Sequence, residues 1–135
     1  MVYWFKPFNE RRERGMREHG EEIQRLAEEF ADCRKILQAL GDANRQHLIL
    51  EMLRMGRCGG VRVGEIAERA HLSRPAISHH VRILKEAGLL RMRREGTKNY
   101  YDFDANTDAM RGLIQMLAHA KRIMEALPDR SGEEE

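Results

Sequence analysis

The stretch that most constrains the fold is residues 63–103, VGEIAERAHLSRPAISHHVRILKEAGLLRMRREGTKNYYDF. Ile66, Ala67 and Ala70 give residues 64–70 the spacing of a short helix buried on one side. His71-Leu72-Ser73 leaves room only for a tight turn. Ser73 is a good N-cap, and Pro75 falls in the first turn, where its missing N–H costs nothing. The helix that starts there should run to about Ala87 and end at Gly88, a residue that tolerates left-handed geometry. Two short helices joined by a three-residue turn form a unit that can lay its second helix in a DNA major groove.

Helical periodicity divides that second helix into two faces. Ile77, His80, Val81 and Leu84 fall at i, i+3, i+4 and i+7 and should face the core. Arg74, Pro75, Ser78, His79, Arg82 and Lys85 are left facing outward, beside the capping Ser73. Cations, a hydroxyl and an imidazole are what base edges and phosphates require of a protein surface. A purely structural surface helix more often alternates Glu and Lys.

Two strands should follow, about residues 90–94 and 99–103, joined by Glu95-Gly96-Thr97-Lys98 as a hairpin turn. Arg91 and Arg93 alternate with Leu90 and Met92, and Arg94 and Lys98 add charge at the tip. A basic hairpin beside a helix-turn-helix is a wing, able to reach a minor groove or the phosphate backbone. Tyr101 and Phe103 are expected inward and Tyr100 nearer solvent. The charge distribution agrees. Net charge is +2 overall, but residues 56–99 carry ten basic and four acidic side chains, while residues 100–135 carry four and eight. A basic centre beside an acidic tail suits a polyanion partner.

The rest of the chain reads as helix. Half of the eight aromatics (Tyr3, Trp4, Phe5 and Phe8) lie in the first eight residues, so the core must come from Leu, Ile, Val, Ala and Met. At 135 residues, with 34% charged, that core needs apolar positions gathered on a few faces. Residues 1–14 read as an aromatic then basic arm. From about Met16 to Leu40 the apolar residues Ile23, Leu26, Phe30, Cys33, Leu37 and Leu40 recur at helical spacing, which predicts one long amphipathic helix ended by Gly41. Asp42 can cap a second helix, with Leu48, Ile49, Met52 and Leu53 as its buried stripe. Gly56-Arg57-Cys58-Gly59-Gly60 is a loop, and Val61-Arg62-Val63 a possible short strand. A last helix, about residues 107–127, places Met110, Leu113, Ile114, Leu117, Met124 and Leu127 on one face, and Pro128 stops it. Residues 15–127 thus form one domain, and residues 128–135 an acidic, disordered tail. The fold class is mainly α with a small β-hairpin wing, a winged helix-turn-helix. No run of about 18 apolar residues is long enough to span a membrane. Lys6, Pro7 and the arginines after them do not suit a signal peptide, and two cysteines suit a reducing cytoplasm.

At LGDANRQHLIL, VGEIAERAHLSRPAISHHVRILKEAGLL and REGTKNYYDF the chain resembles the ArsR/SmtB family of winged-helix repressors, over about residues 32–104. The resemblance implies a homodimer whose first and last helices pair across a two-fold axis, and a repressor that leaves its operator when an inducer binds. Both terminal helices carry apolar stripes that a small winged core could not fully cover. Ile23, Leu26, Phe30, Leu37, Met110, Leu113, Leu117 and Met124 are therefore the expected interface. A two-fold dimer would present two recognition helices about one DNA turn apart.

Members of this family often sense metals. Where the family carries a Cys-x-Cys site, this chain has Arg62 and Gly64, which donate neither sulfur nor nitrogen to a soft metal. At the family's second site, aligned on His119, it has Asn106, Asp108, His119 and Arg122, and Arg122 places a cation where a ligand should be. Both sites read as lost, and no cofactor is expected. Cys33 reads first as a small buried hydrophobe. Cys58, beside Arg57 in a glycine-rich loop, reads first as unreactive, although that setting can lower a thiol pKa. Cys33 and Cys58 together would be the sensor of a thiol- or arsenical-responsive repressor. His19, His47 and His71 are scattered.

Three function classes follow. A dimeric DNA-binding repressor would use Arg74, Ser78 and His79 on bases, with Arg82, Arg93, Arg94 and Lys98 mainly on phosphates. A protein-interaction module would use the aromatic arm, whose plainer reading is a lid over an apolar groove. An enzyme is disfavoured, since the sequence has no Gly-rich phosphate loop, nucleophile elbow or His-Glu-x-x-His run.

Overall fold

Asp42 accepts a hydrogen bond from the backbone N–H of Arg45 at 3.0 Å, Ser73 from Ala76 at 3.3 Å, and Thr107 from Met110 at 3.2 Å. Each is a short polar side chain satisfying a donor that the first helical turn leaves free. These caps start three of the six helices in the computed structural model, which describes residues 6–56 and 59–128, with side chains from residue 13 onward. The order is α1 (Lys6–Asp32), α2 (Arg34–Leu40), α3 (Ala43–Met55), α4 (Val63–Ala70), α5 (Arg74–Glu86), β1 (Leu90–Glu95), β2 (Lys98–Phe103) and α6 (Asp108–Glu125).

The N-terminal half departs from the sequence reading in two ways. α1 begins at Lys6, so residues 6–14, expected as an irregular arm, are helical. No apolar stripe is needed there, because a segment rich in Arg and Glu has enough helix propensity to extend an existing helix. The single helix expected to Leu40 divides at Cys33. The i→i−4 bonds run on through the break, from Cys33 N–H to Glu29 and from Leu37 N–H to Cys33, each 3.0 Å. Tyr3, Trp4, Phe5 and residues 129–135 of the acidic tail lie outside the described residues.

The core is aliphatic. Ile36, Leu48, Ile66, Ile77, Val81, Leu84 and Met116 are its largest fully buried side chains, drawn from α2 through α6. Tyr101 and Phe103 pack against it only partly buried. Leu53, expected on the buried stripe of α3, is instead 57% exposed, while Leu48 and Met52 hold that stripe. Positions 48 and 52 are one turn apart, and 53 lies 100° farther round.

The hairpin pairs antiparallel from Leu90↔Phe103 to Glu95↔Lys98. Its two-residue turn has Gly96 first, at φ 62°, a value that suits the right-handed twist of the strands. The expected strand at Val61-Arg62-Val63 shrinks to one residue. Val61 exchanges two 2.8 Å hydrogen bonds with Tyr101, and Val63 already belongs to α4. Gly60 makes this approach possible. At φ 91°, a Cβ there would lie 2.9 Å from the Tyr101 carbonyl oxygen.

Candidate nucleic-acid interface

α4 and α5 meet through His71, which takes left-handed φ 56° and ψ 36° and so turns the chain within three residues. α5 then shows the two faces its periodicity predicts. Ile77, Val81 and Leu84 are buried, whereas Ser73, Arg74, Pro75, Ser78, His79, Arg82 and Lys85 are exposed. His80 is half-buried, and its Nδ1 lies 3.4 Å from Nη1 of Arg45. A guanidinium can only donate, so Nδ1 accepts and the imidazole is neutral in this contact. Burial chiefly lowers the His80 pKa, with Arg45 and His79 acting in the same sense and Asp42 opposing. His80 is thus a packed residue, and His79 is the imidazole turned outward.

On the exposed face, Arg82 donates from Nη2 to Nδ1 of His79 at 3.3 Å. That contact leaves the His79 Nε2–H as an outward donor, suited to a purine N7 or a phosphate oxygen. Arg74 lies across the start of α4, so that a Cβ on Gly64 would come within 3.0 Å of its Nη2. Arg74 also lines a cleft of about 380 Å³ with Arg62, Glu65, Glu68, Thr97, Lys98 and Asn99. This cleft joins the start of the recognition helix to the tip of the wing. Arg62, Thr97 and Asn99 were not among the DNA contacts read from the sequence, because only the fold brings them beside Arg74.

The wing cations are not equivalent. Arg93 donates to the Gly59 carbonyl at 2.8 Å, pairs with Glu95 and lies 5.2 Å over the Tyr100 ring. It therefore ties the hairpin to the preceding loop. Arg91 grips Asp102 through two hydrogen bonds, at 2.9 and 3.3 Å. Arg94 bonds only the Gly96 carbonyl, and Lys98 has no ion pair among the described residues. Arg94 and Lys98 are thus the wing cations free of carboxylates among the described residues.

Of the two cysteines weighed as a thiol sensor, only Cys33 lies among the described residues. Cys33 is buried at the α1–α2 break, and burial, then Asp32 and Glu29, push its pKa up, which disfavours the reactive thiolate. Cys58 lies outside the described residues. Asp108 pairs with Arg111 in the first turn of α6, while His119 Nδ1 donates to Glu29 of α1 at 2.5 Å. Among the described residues no group of three or more His, Cys, Asp or Glu is placed to hold a metal ion.

The eight apolar residues expected at a subunit interface also divide. Leu113 is buried in the chain's own core, and Leu26, Leu37 and Met110 pack against it. Ile23 and Phe30 on α1 (48% and 47% exposed) and Leu117 and Met124 on α6 (56% and 67%) are uncovered. Ile114, also on α6, joins them. α6 has two apolar stripes rather than one: Leu113, Met116, Ala120 and Ile123 face inward, and Ile114, Leu117 and Met124 face out.

Residues 44–91, which span α3 to the start of β1, match the family described as bacterial regulatory protein, arsR family. The chain is 38% identical over 74 residues to an uncharacterized HTH-type transcriptional regulator of Methanocaldococcus jannaschii, covering 55% of this chain and 80% of that one. It belongs to the ArsR family. The transcriptional repressor SdpR of Bacillus subtilis is 34% identical over 82 residues, covering 61% of this chain and 84% of its own. Among solved structures, a homodimeric winged helix-turn-helix DNA-binding domain from Mycobacterium bovis, a possible ArsR-family regulator, superposes with a TM-score of 0.50. Identity there is 30%, over 77% of this chain and 89% of that one. This ArsR-family chain is a winged-helix transcriptional regulator, and its relatives are regulators rather than enzymes. Among its described residues no helix is long and apolar enough to cross a membrane.

Proposed function

We propose that this ArsR-family regulator is a cytoplasmic homodimeric repressor that binds operator DNA sequence-specifically, with no enzymatic step, and leaves it when an inducer binds. The observation that carries the reading is the cleft joining Arg74 of α5 to Lys98 of the wing, because it aligns a base-reading helix with a backbone-gripping hairpin. Arg74, Ser78 and His79 read base edges. Ser73 and Pro75 set the N-terminus of α5 against the duplex, and Arg82, Lys85, Arg94 and Lys98 hold phosphates. Arg93 contributes charge while tethering the wing. Dimerisation runs through the uncovered apolar residues of α1 and α6, Ile23, Phe30, Leu117 and Met124. SdpR being a repressor and the M. bovis domain a homodimer support this reading. Hydroxyl-radical footprinting on DNA upstream of the protein's own gene tests it. Protection should fall in two patches separated by about 10 base pairs or a multiple of it. A single patch, or uniform protection along the fragment, would refute the dimeric, sequence-specific reading.

A further inference from the structure

α1 and α6 pack antiparallel, with Glu29 opposite His119 and Cys33 against Gly112. Beside this seam runs an open groove of about 490 Å³, within the size range of small-molecule sites. Arg25 of α1 and Arg122 of α6 both line it, and neither has an ion pair among the described residues. Two of the carboxylates near them are already engaged. Glu29, which lines the groove, accepts from His119 at 2.5 Å, and Glu125, one turn beyond Arg122, is held by Lys121 at 3.2 Å. Two guanidinium groups and one carboxylate, that of Glu29, thus line the groove, and Glu29 is bonded to His119 rather than to either arginine. Between them α6 presents Ile114 and Ala118, an apolar strip, and the Gln115 amide.

We propose that this groove binds a small organic carboxylate with a short apolar body. Arg25 and Arg122 take the anionic head, since a guanidinium matches a carboxylate in shape and charge and is weakly hydrated for a cation. Ile114 and Ala118 cover the apolar body, and Gln115 offers a further donor. His119 is a positioning residue, because its bond holds the Glu29 carboxylate, which lines the groove, away from pairing with either arginine. The groove is open, so affinity should be modest, with Kd on the order of 0.1–1 mM.

The test uses the full chain without DNA, so its failure is separate from any failure of the DNA-binding reading. Octanoate is titrated calorimetrically against the wild type, with octanol and acetate as controls, while His119 ring resonances are followed by NMR. Octanoate should bind at least about tenfold more tightly than either control and shift the His119 signals. Arg25→Gln and Arg122→Gln should each weaken it about tenfold, whereas Lys121→Gln, whose cation is already paired, should not. Far-UV circular dichroism checks that each variant is folded. Octanol binding as tightly as octanoate, unchanged octanoate binding in the Arg25→Gln/Arg122→Gln double variant, or no His119 shift at saturation would overturn the proposal.

Discussion

Arg45, in the first turn of α3, donates to the Nδ1 of His80 on the buried side of α5, and the same guanidinium bonds the carbonyls of Ala39 at 2.9 Å and Gln38 at 3.1 Å. One side chain thereby ties the end of α2, the start of α3 and the recognition helix together. The imidazole must stay neutral for this, and burial lowers its pKa below the ordinary histidine value. The unfolded chain therefore takes up a proton near pH 6.5 while the folded chain still resists it. The His80 contribution is intact above about pH 6.5 and is lost as pH falls through and below that value. Chemical denaturation from pH 7.5 to 5 should show the wild type losing more stability than His80→Asn. Parallel pH profiles for the two proteins would count against the linkage.

Gly88 sits at φ 83° between α5 and β1, and a Cβ there would lie 2.9 Å from the Ala109 Cβ. Its carbonyl also accepts from the hydroxyl of Thr107, at 2.8 Å, so the start of α6 is seated on this residue. Gly88→Ala should therefore cost about 2 kcal/mol or more, from left-handed strain plus a clash with a methyl that cannot swing away. Urea unfolding measures it directly. Gly20→Ala, in open space on α1, is the control and should be neutral or slightly stabilising.

Much of this was legible before folding, and the reason is period. The faces of α5 follow from Ile77, Val81 and Leu84 at helical spacing, and Ser73, Pro75 and Gly88 mark its ends by chemistry that acts within one turn. Contacts between distant segments were not legible. The Arg93 tether to Gly59 needs the loop folded back over the hairpin, and His119 meets Glu29 only because α1 packs along α6. α6 was misread for a different reason. Apolar type alone does not say which of two stripes meets the chain's own core, so Leu113 and Leu117 looked equivalent although one is buried and the other exposed.

The uncovered residues of the terminal helices make the dimer testable apart from DNA. Ile23→Glu combined with Leu117→Glu should yield a folded monomer, since neither side chain is buried in the protomer. Sedimentation velocity reads the mass, and circular dichroism the helix content. A double variant that still sediments with the wild-type mass would place the interface elsewhere.

Wing and helix cations should separate by behaviour. Lys98→Ala should weaken binding to all DNA sequences alike and reduce the salt dependence, the slope of log K against log salt, by about 1. Arg74→Ala should instead cost about 1–3 kcal/mol on the operator and little on unrelated DNA. The opposite pattern would exchange their roles.

The most direct test of the central claim is fluorescence anisotropy with labelled DNA from upstream of the protein's own gene, titrated against excess unrelated duplex. The wild type should prefer the upstream DNA by at least about 10³-fold. Ser78→Ala/His79→Ala should lose most of that preference while keeping its residual, salt-sensitive affinity, because its phosphate-binding cations are untouched. Equal binding of both duplexes by the wild type, or an unchanged preference in the double variant, would contradict the assignment of α5 as the element that reads DNA.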